Sequence, residues 1–356
     1  MNPYITNTTN GHVHIDRIRV KGSLAHRPLG KLWFQLMGDT GELVPIAASA
    51  RKPRGASYGP ADQVWMKSRD IRGIDRAHQI ELDCCPPQIL QRHNFFGHAN
   101  LQSYVHQIFE QQTTAMALSP TDEERAEWAN GQVGITEIHL TANFWCPPVQ
   151  REIIDAIDAN NREGKRRNRE TSIELGHGPK RRSVYHSATV YSKHELLASQ
   201  WKNPGEYQTA ILDLARLSIR VEIKLHHQGL RTRNLQYVSR WKHEDVDKLF
   251  FDLLGRYKIT NSVQPVLTEY EAKELPKNVR RAYLLWLNGE NLHEHFNRTT
   301  VWQHAKELKQ RVGIDITGHR RPEALPVVNT AEIFTRENIV PIPEWAYGSQ
   351  RYSPPV

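Results

Sequence analysis

The stretch Gly134-Ile-Thr-Glu-Ile-His-Leu-Thr-Ala-Asn-Phe144 predicts the central strand of a β-sheet. Side chains of a strand point alternately to the two faces of its sheet, so alternating residue types separate onto two faces. Here one face would carry apolar side chains and the other polar ones. The apolar set is Ile138, Leu140, Ala142 and Phe144, and the polar set is Glu137, His139, Thr141 and Asn143.

Two further stretches predict strands with a polar face. Leu217 to Leu225 alternates strictly and places Glu222 on its polar side. Ser183 to Leu196, interpreted as one extended strand, points these side chains in one direction: Tyr185, Ser187, Thr189, Tyr191, Lys193 and Glu195. If the three strands are neighbours in one sheet, His139, Glu195 and Glu222 converge into a mixed oxygen and nitrogen site. Such a site suits Mg²⁺ or Mn²⁺ better than a thiolate metal. The alternative for each residue alone is a surface strand that faces water.

The row that ends in Tyr191, Lys193 and Glu195 carries groups suited to phosphoryl chemistry. A tyrosine can attack a phosphodiester, a lysine can neutralise developing charge or assist proton transfer, and a glutamate can hold a divalent cation. Tyr185 lies six residues before Tyr191 and is a candidate second catalytic tyrosine. Packing and DNA stacking are its alternative roles.

The composition favours a polyanionic partner. The 356 residues include 47 Lys and Arg against 39 Asp and Glu, and the sequence pI is near 9.3. This balance favours nucleic acid, and a basic protein without such a partner is the alternative. Three cysteines are too few for a disulfide framework or a zinc cage, and the chain shows neither a membrane-length apolar run nor a secretory signal pattern. We therefore predict a cytoplasmic protein with no membrane partner, long enough for two domains.

Two short segments are candidate binding elements. His12 and His14 lie two residues apart, so on a strand they share a face and could chelate a metal; solvated side chains are the alternative. A charge run between Asn161 and Glu170 is either a solvated loop or a track for a DNA backbone. Its cationic residues are Lys165, Arg166, Arg167 and Arg169.

The chain after residue 242 predicts helices. An apolar stripe runs from Val279 to Leu287, a short helix is expected near Leu292, and a third helix spans Val301 to Gln310. Three short helices with a polar, basic third one are typical of a helix-turn-helix, whose last helix enters the DNA major groove. Its candidate DNA contacts are Arg298, Thr300, Gln303 and Lys306. A small packing bundle is the alternative, and the proline-rich tail predicts an extended arm.

Several short motifs, in their order along the chain, resemble the gene II replication initiators of filamentous bacteriophages, in the phage and plasmid replication protein II/X family. They are Ile89-Leu-Gln-Arg-His-Asn-Phe-Phe-Gly97, the strand 134–144, Tyr191-Ser-Lys-His-Glu195, Arg220-Val-Glu-Ile223, Gly313-Ile-Asp-Ile316 and the tail near Trp345. The resemblance implies an α+β fold: an antiparallel-sheet, HUH-like nuclease domain over residues 12–235, a helical DNA-binding domain over 242–320 and an extended arm over 321–356.

The resemblance also implies an activity and its residues. Gene II initiators are site-specific endonucleases and strand transferases that nick the plus strand, stay joined to its 5′ phosphate and start rolling-circle replication. Tyr191 matches the nucleophile and Lys193 its partner. Where that family shows Arg-Ile-Asp, this chain has Glu137-Ile-His139, so either Glu137 or His139 is the ligand there, and Asp16 matches a family aspartate that is a further candidate.

Two other functions stay open at this point. One is a non-catalytic repressor that uses only the helix-turn-helix, and the other is a relaxase-type nuclease with His12 and His14 as metal ligands. The expected partners of an initiator are duplex and single-stranded origin DNA, with host helicase and polymerase acting afterwards in the host cytoplasm.

Overall fold

An eight-stranded antiparallel sheet is the frame of the molecule. The computed structural model describes residues 11–37, 39, 43–48, 64–72, 74–161, 164–176, 183–257, 259, 267, 269–312, 314, 316 and 330–356. Its strands are β1 (His14–His26), β2 (Leu32–Leu36), β3 (Leu43–Ala48), β4 (Trp65–Arg72), β5 (Arg76–Cys84), β6 (Gly134–Trp145), β7 (Lys165–Arg169), β8 (Ser172–Leu175), β9 (His186–Tyr191) and β10 (Ser218–His226). The order across the main sheet is β4-β5-β1-β6-β10-β9-β8-β7, and β2 pairs with β3 in a separate hairpin.

The helices lie between the strands and after the last of them. They are α1 (Pro86–Gln91), α2 (Leu101–Ala115), α3 (Asp122–Ala129), α4 (Gln150–Asn160), α5 (Lys193–Gln200), α6 (Glu206–Arg216), α7 (His227–Thr232), α8 (Val246–Leu254), α9 (Glu269–Lys273), α10 (Lys277–Leu287), α11 (Leu292–His295), α12 (Arg298–Val312) and α13 (Thr330–Ile333). Among the residues described, none of these helices is both long and apolar enough to cross a membrane.

The main core lies against one face of the sheet. Strand β6 pairs with β1 on one side and β10 on the other, which confirms the predicted central strand. Ile138, Leu140 and Phe144 are fully buried, and helices α2 and α8 pack on the same core. Helix α8 contributes Phe250, whose ring is fully buried, so replacing it with Ala should cost about 3–5 kcal/mol of folding free energy.

A second apolar cluster belongs to the C-terminal helices. Helices α10, α11 and α12 confirm the three predicted ones and bury Val279, Leu292 and Leu308 together. Helix α8 lies inside the predicted helical domain but packs in the core of the sheet. The domain boundaries therefore stay predictions. Residues 321–329 of the predicted arm lie outside the described part.

Two sequence interpretations are wrong in their secondary structure. The strand predicted over 183–196 ends at Tyr191, because Ser192 caps helix α5 and its hydroxyl accepts a hydrogen bond from the Glu195 amide. A serine followed three residues later by glutamate is a helix-start signal, and it outweighs the alternation here. The charge run is not a loop: Lys165–Arg169 forms the outermost strand, β7.

Candidate metal and tyrosine site

Asp16, His139 and Glu222 meet on the polar face of the sheet. They come from the adjacent strands β1, β6 and β10, and one ligand atom from each lies within 4.8 Å of the other two. All three side chains are buried. A carboxylate pair with one imidazole matches the ligand preference of Mg²⁺ or Mn²⁺, although an imidazole also suits other transition metals. Three of the five predicted ligand positions, Asp16, His139 and Glu222, are therefore brought together.

A β-bulge places Asp16. Ile15 pairs with Leu140 and Arg17 pairs with His139, so Asp16 is one extra residue in β1 with no partner in β6. Bulges next to functional sites redirect a side chain in this way. Asp16 then accepts hydrogen bonds through its Oδ1 atom from the Arg220 guanidinium at 2.9 Å and the Asn94 amide at 2.8 Å.

Glu137 orients His139 and is not itself in the cluster. Its two carboxylate oxygens face the His139 Nε2 atom and the His226 Nδ1 atom, each at 3.1 Å. Burial alone would raise the pKa of Glu137, but the hydrogen bonds with both imidazoles hold it well below its ordinary value. The Nδ1 atom of His139 is left facing Glu222 at 3.8 Å. This is the arrangement of a carboxylate behind a metal-binding histidine.

Unpaired buried atoms surround Glu222. Thr141 and Thr189 lie directly opposite Glu222 on the two neighbouring strands, and His14 lies opposite Thr141 on the next strand. Among the described residues, the hydroxyl oxygens of both threonines and the Nε2 atom of His14 have no hydrogen-bond partner. Buried polar atoms without partners are uncommon and point to a bound ion, water or substrate. The residues present thus fit a hydrated divalent cation.

Arg220 is the buried cation that holds the acidic side chains together. Its guanidinium is fully buried, donates to the Asn94 carbonyl oxygen at 2.6 Å and lies 3.4 Å from the Glu222 carboxylate. The resulting charge balance keeps the pKa of Glu222 low, at about 2, against the opposing effect of burial. Removing one partner of such a buried pair costs about 3–5 kcal/mol.

Tyr191 and Lys193 lie beside this cluster. The Tyr191 hydroxyl donates a 2.6 Å hydrogen bond to the Oε1 atom of Glu222. Burial and the adjacent Glu222 carboxylate raise the pKa of the Tyr191 phenol well above its ordinary value. Lys193 begins helix α5, where its ammonium donates to the Asn94 Oδ1 atom at 2.8 Å. Burial, with Arg220 nearby, lowers the pKa of Lys193 to about 8.

Glu195 is not part of this group, contrary to its predicted position. The helix that starts after Ser192 turns it outward, and its half-exposed carboxylate pairs with Arg151 at 3.1 Å. The His12 and His14 pair is also absent from the cluster formed by the described residues. The His12 ring bonds to the Gly97 carbonyl oxygen instead.

Some of the side chains predicted to contact DNA are exposed, and others are partly buried or already paired within the protein. Lys165 pairs with Asp158 and is only partly exposed, whereas Arg166 is exposed. Arg167 and Arg169 lie on β7, and their side chains are outside the described part. On α12, the outward face includes Arg298, Gln303 and Lys306, while Thr300 is partly buried.

Sequence reasoning missed the contacts of Asn94 and Arg220 in the site, and it did not single out the exposed Trp302. Asn94 and Arg220 stood inside quoted motifs, yet nothing in their spacing indicated that they meet in space. A charged arginine on a strand with a strict apolar alternation was the available signal for Arg220. Trp302 is 59% exposed on α12, with the Lys306 ammonium 5.1 Å from its ring centre.

An antiparallel sheet with a tyrosine beside a carboxylate and imidazole cluster is the class of site that the gene II resemblance implied. Comparison with known proteins identifies the family. The family model for the N-terminal part of the gene II replication-associated protein matches residues 57–244, just over half of the chain. The chain belongs to this family and is a phage gene II-type replication initiator.

Two individual proteins are similar to this chain. The gene II replication-associated protein of Enterobacteria phage I2-2 is 23% identical over 261 residues, which cover 71% of this chain and 74% of that protein. A solved structure of a Rolling Circle Replication Initiator Protein from Geobacillus stearothermophilus covers 74% of this chain and 91% of its own, at 9% identity and a TM-score of 0.32.

Proposed function

We propose that the protein is an origin-specific DNA endonuclease and strand transferase that starts rolling-circle replication through a tyrosine-linked intermediate. The observation that carries this proposal is the contact of the Tyr191 hydroxyl with Glu222, inside a buried group of Asp16, His139 and Glu222. A nucleophile hydrogen-bonded to a base, next to donors for a divalent cation, is the arrangement that phosphodiester cleavage needs.

The proposed cleavage exchanges a phosphodiester of the DNA strand for a phosphate ester on Tyr191. The Tyr191 oxygen attacks the scissile phosphorus while its proton passes toward Glu222. The bond from phosphorus to the 3′ oxygen breaks, which leaves a 5′ phosphate ester on Tyr191. Lys193, which has a pKa of about 8 and is therefore mostly protonated at neutral pH, gives a proton to the departing 3′ oxygen. Attack of a later 3′ hydroxyl on the ester reverses these steps and joins the strand ends.

Asp16, His139 and Glu222 would hold Mg²⁺ or Mn²⁺. When bound, the cation polarises the scissile phosphate and offsets the negative charge that develops on it. Glu137 keeps His139 in the orientation that directs Nδ1 to the site, and Asn94 and Arg220 do the same for Asp16.

Origin recognition is assigned to the C-terminal helices and the basic surfaces. The exposed face of α12, with Arg298, Gln303 and Lys306, suits a DNA groove. A cavity of about 560 Å³ brings together the guanidinium groups of Arg233 and Arg256 with the exposed ring of Tyr185. Cations interleaved with an aromatic ring favour single-stranded DNA. The host helicase, the host polymerase and a location in the host cytoplasm remain predictions.

The role of Tyr191 as the nucleophile can be tested directly. Supercoiled DNA that contains the phage origin, incubated with the protein and Mg²⁺ or Mn²⁺, should yield a covalent protein–DNA adduct whose linked peptide contains Tyr191. Tyr191→Phe should abolish the adduct, since the phenyl ring keeps the packing and removes the attacking oxygen. Tyr185→Phe, which removes the other hydroxyl from the same stretch of chain, is the matched control and should still form it.

The outcomes separate the competing functions. Tight origin binding with intact DNA would support a repressor. An adduct that survives in Tyr191→Phe would assign the nucleophile elsewhere. Loss of nicking on replacement of His12 and His14, with nicking retained in Glu222→Ala, would support the relaxase-type site.

A further inference from the structure

The C-terminal segment packs on the loop that supplies Asn94. We call residues 91–98 the Asn94 loop and residues 345–356 the arm segment. The His93 Nε2 atom donates to the Arg351 carbonyl oxygen at 2.8 Å, and the Ser353 amide donates to the Gln91 Oε1 atom at 3.0 Å. Gln91 is fully buried, and its amide nitrogen donates back to the Phe96 carbonyl oxygen at 2.6 Å. The arm segment thus completes the hydrogen bonding of the loop.

Aromatic packing joins the same two segments. The Phe96 ring has its centre 6.0 Å from that of Trp345 and 6.3 Å from that of Tyr352. Phe96 and Ala346 belong to one apolar cluster with Leu197 of α5, the helix that begins with Lys193. The arm segment therefore contacts the framework of both side chains that meet at the site, Asn94 and Lys193.

Asn94 links the loop to the side chains of the site. Its side-chain amide donates to Asp16 and its Oδ1 atom accepts from Lys193, each at 2.8 Å, while its carbonyl oxygen accepts from Arg220 at 2.6 Å. A loop with both side-chain and backbone atoms committed in this way needs a fixed backbone. Without the arm segment, the Gln91 Oε1 atom and the His93 Nε2 atom lose these hydrogen bonds, and the Phe96 ring loses two aromatic neighbours.

We propose that the arm segment is a positioning element of the active site, which acts through the Asn94 loop to set Asp16 and Lys193. This proposal rests on the proposed function. Reacting groups must be held to within a fraction of an ångström, and a displacement of about 1 Å can cost about 100-fold in rate. The arm segment makes none of the proposed contacts to the cation or the scissile phosphate, so it acts on the site through the loop and not by direct contact.

A double-mutant cycle in the full-length protein tests the coupling. Tyr352→Ala should lower the single-turnover nicking rate roughly 10-fold to 100-fold, because the Asn94 loop loses its aromatic support. In an Asn94→Ala background the same change should add less than about twofold, since the group through which it acts is gone. Tyr352→Phe keeps the ring and should nick at the wild-type rate.

A second variant and a second readout complete the test. Ser353→Pro removes the amide donor to Gln91 and should also slow nicking, which keeps the proposal testable if Tyr352→Ala does not fold. Both variants should weaken Mn²⁺ binding severalfold in a calorimetric titration, because Asp16 is less well held. Wild-type nicking and Mn²⁺ affinity in the folded variants, or full additivity with Asn94→Ala, would overturn the proposal. A wild-type protein that binds Mn²⁺ but never nicks would instead overturn the proposed function.

Discussion

The Glu137 carboxylate faces His139 and His226, and of these two histidines only His139 belongs to the proposed metal site. We expect Glu137→Gln to weaken Mn²⁺ binding by about 10-fold to 100-fold, since an amide no longer fixes the tautomer and basicity of His139. Isothermal titration with Mn²⁺ measures this loss.

Glu81→Gln is the matched control for this prediction. Glu81 lies on β5 of the same sheet and pairs with Arg69, away from the cluster. Equal Mn²⁺ affinity in wild type and Glu137→Gln would show that Glu137 does not orient the histidine.

At the residue scale, the sequence predicted which strand residues share a face better than which distant residues meet. The position of His139 and Glu222 on the polar face of the sheet follows from alternation, because successive side chains of a strand point to opposite faces. The strand position predicted for Glu195 was wrong because alternation was carried past Tyr191, where the chain becomes helical. Asn94 comes from a loop 99 residues away from Lys193 in sequence, and no local pattern predicts a contact of that range.

At the element scale, helix α5 depends on its N-cap residue. Ser192 caps the helix by accepting a hydrogen bond from the Glu195 amide at 3.3 Å. Ser192→Ala should destabilise the protein by about 1 kcal/mol, which is typical for loss of a helix cap. It should also slow nicking, because Lys193 occupies the first turn. Urea denaturation and single-turnover nicking assays measure the two effects.

Ser199→Ala is the corresponding control at the other end of α5. The Ser199 hydroxyl donates only to the carbonyl oxygen of Leu196 at an exposed position. Its replacement should change the free energy of unfolding by less than about 0.5 kcal/mol. If both serine variants lose the same stability, the cap is not what fixes the start of the helix.

The elements themselves were predictable to different degrees. Strands β6 and β10 and the helices α10 to α12 have strong periodicities of two or 3.6, so their existence followed from the sequence. Strand β7 did not, because four cations in five residues resemble a solvated loop unless the pairing partner is known. The Asp16 bulge was equally hidden, since its cause is the register with β6.

At the scale of the whole molecule, buried histidines predict acid sensitivity. Burial lowers the pKa of both His93 and His98 to about 4, below the ordinary value of 6.5. Between pH 6.5 and about 4 the unfolded chain therefore binds more protons than the folded one. The stabilisation that comes from keeping these histidines neutral is fully present above pH 6.5 and is lost as the pH falls toward 4. Each of the two histidines should lower the free energy of unfolding by up to about 3 kcal/mol over this pH range.

Urea denaturation at about pH 7 and about pH 5 checks this prediction, since the two values bracket the ordinary histidine pKa. His93→Gln should show a smaller loss between the two conditions, because glutamine does not titrate and can still donate to the Arg351 carbonyl oxygen. A free energy of unfolding that is unchanged between them would contradict the assignment of neutral, buried imidazoles.

The outermost strand β7 has one more consequence for the molecule. Its outer backbone edge could extend the sheet into a second copy, as fibre-forming proteins do, but the residues Lys165–Arg169 include four cations. Two such edges would repel each other on approach. In the described structure no further strand pairs with this outer edge of β7. The positive charge of the edge therefore disfavours its pairing with the same edge of another copy, which is the first step of fibre growth.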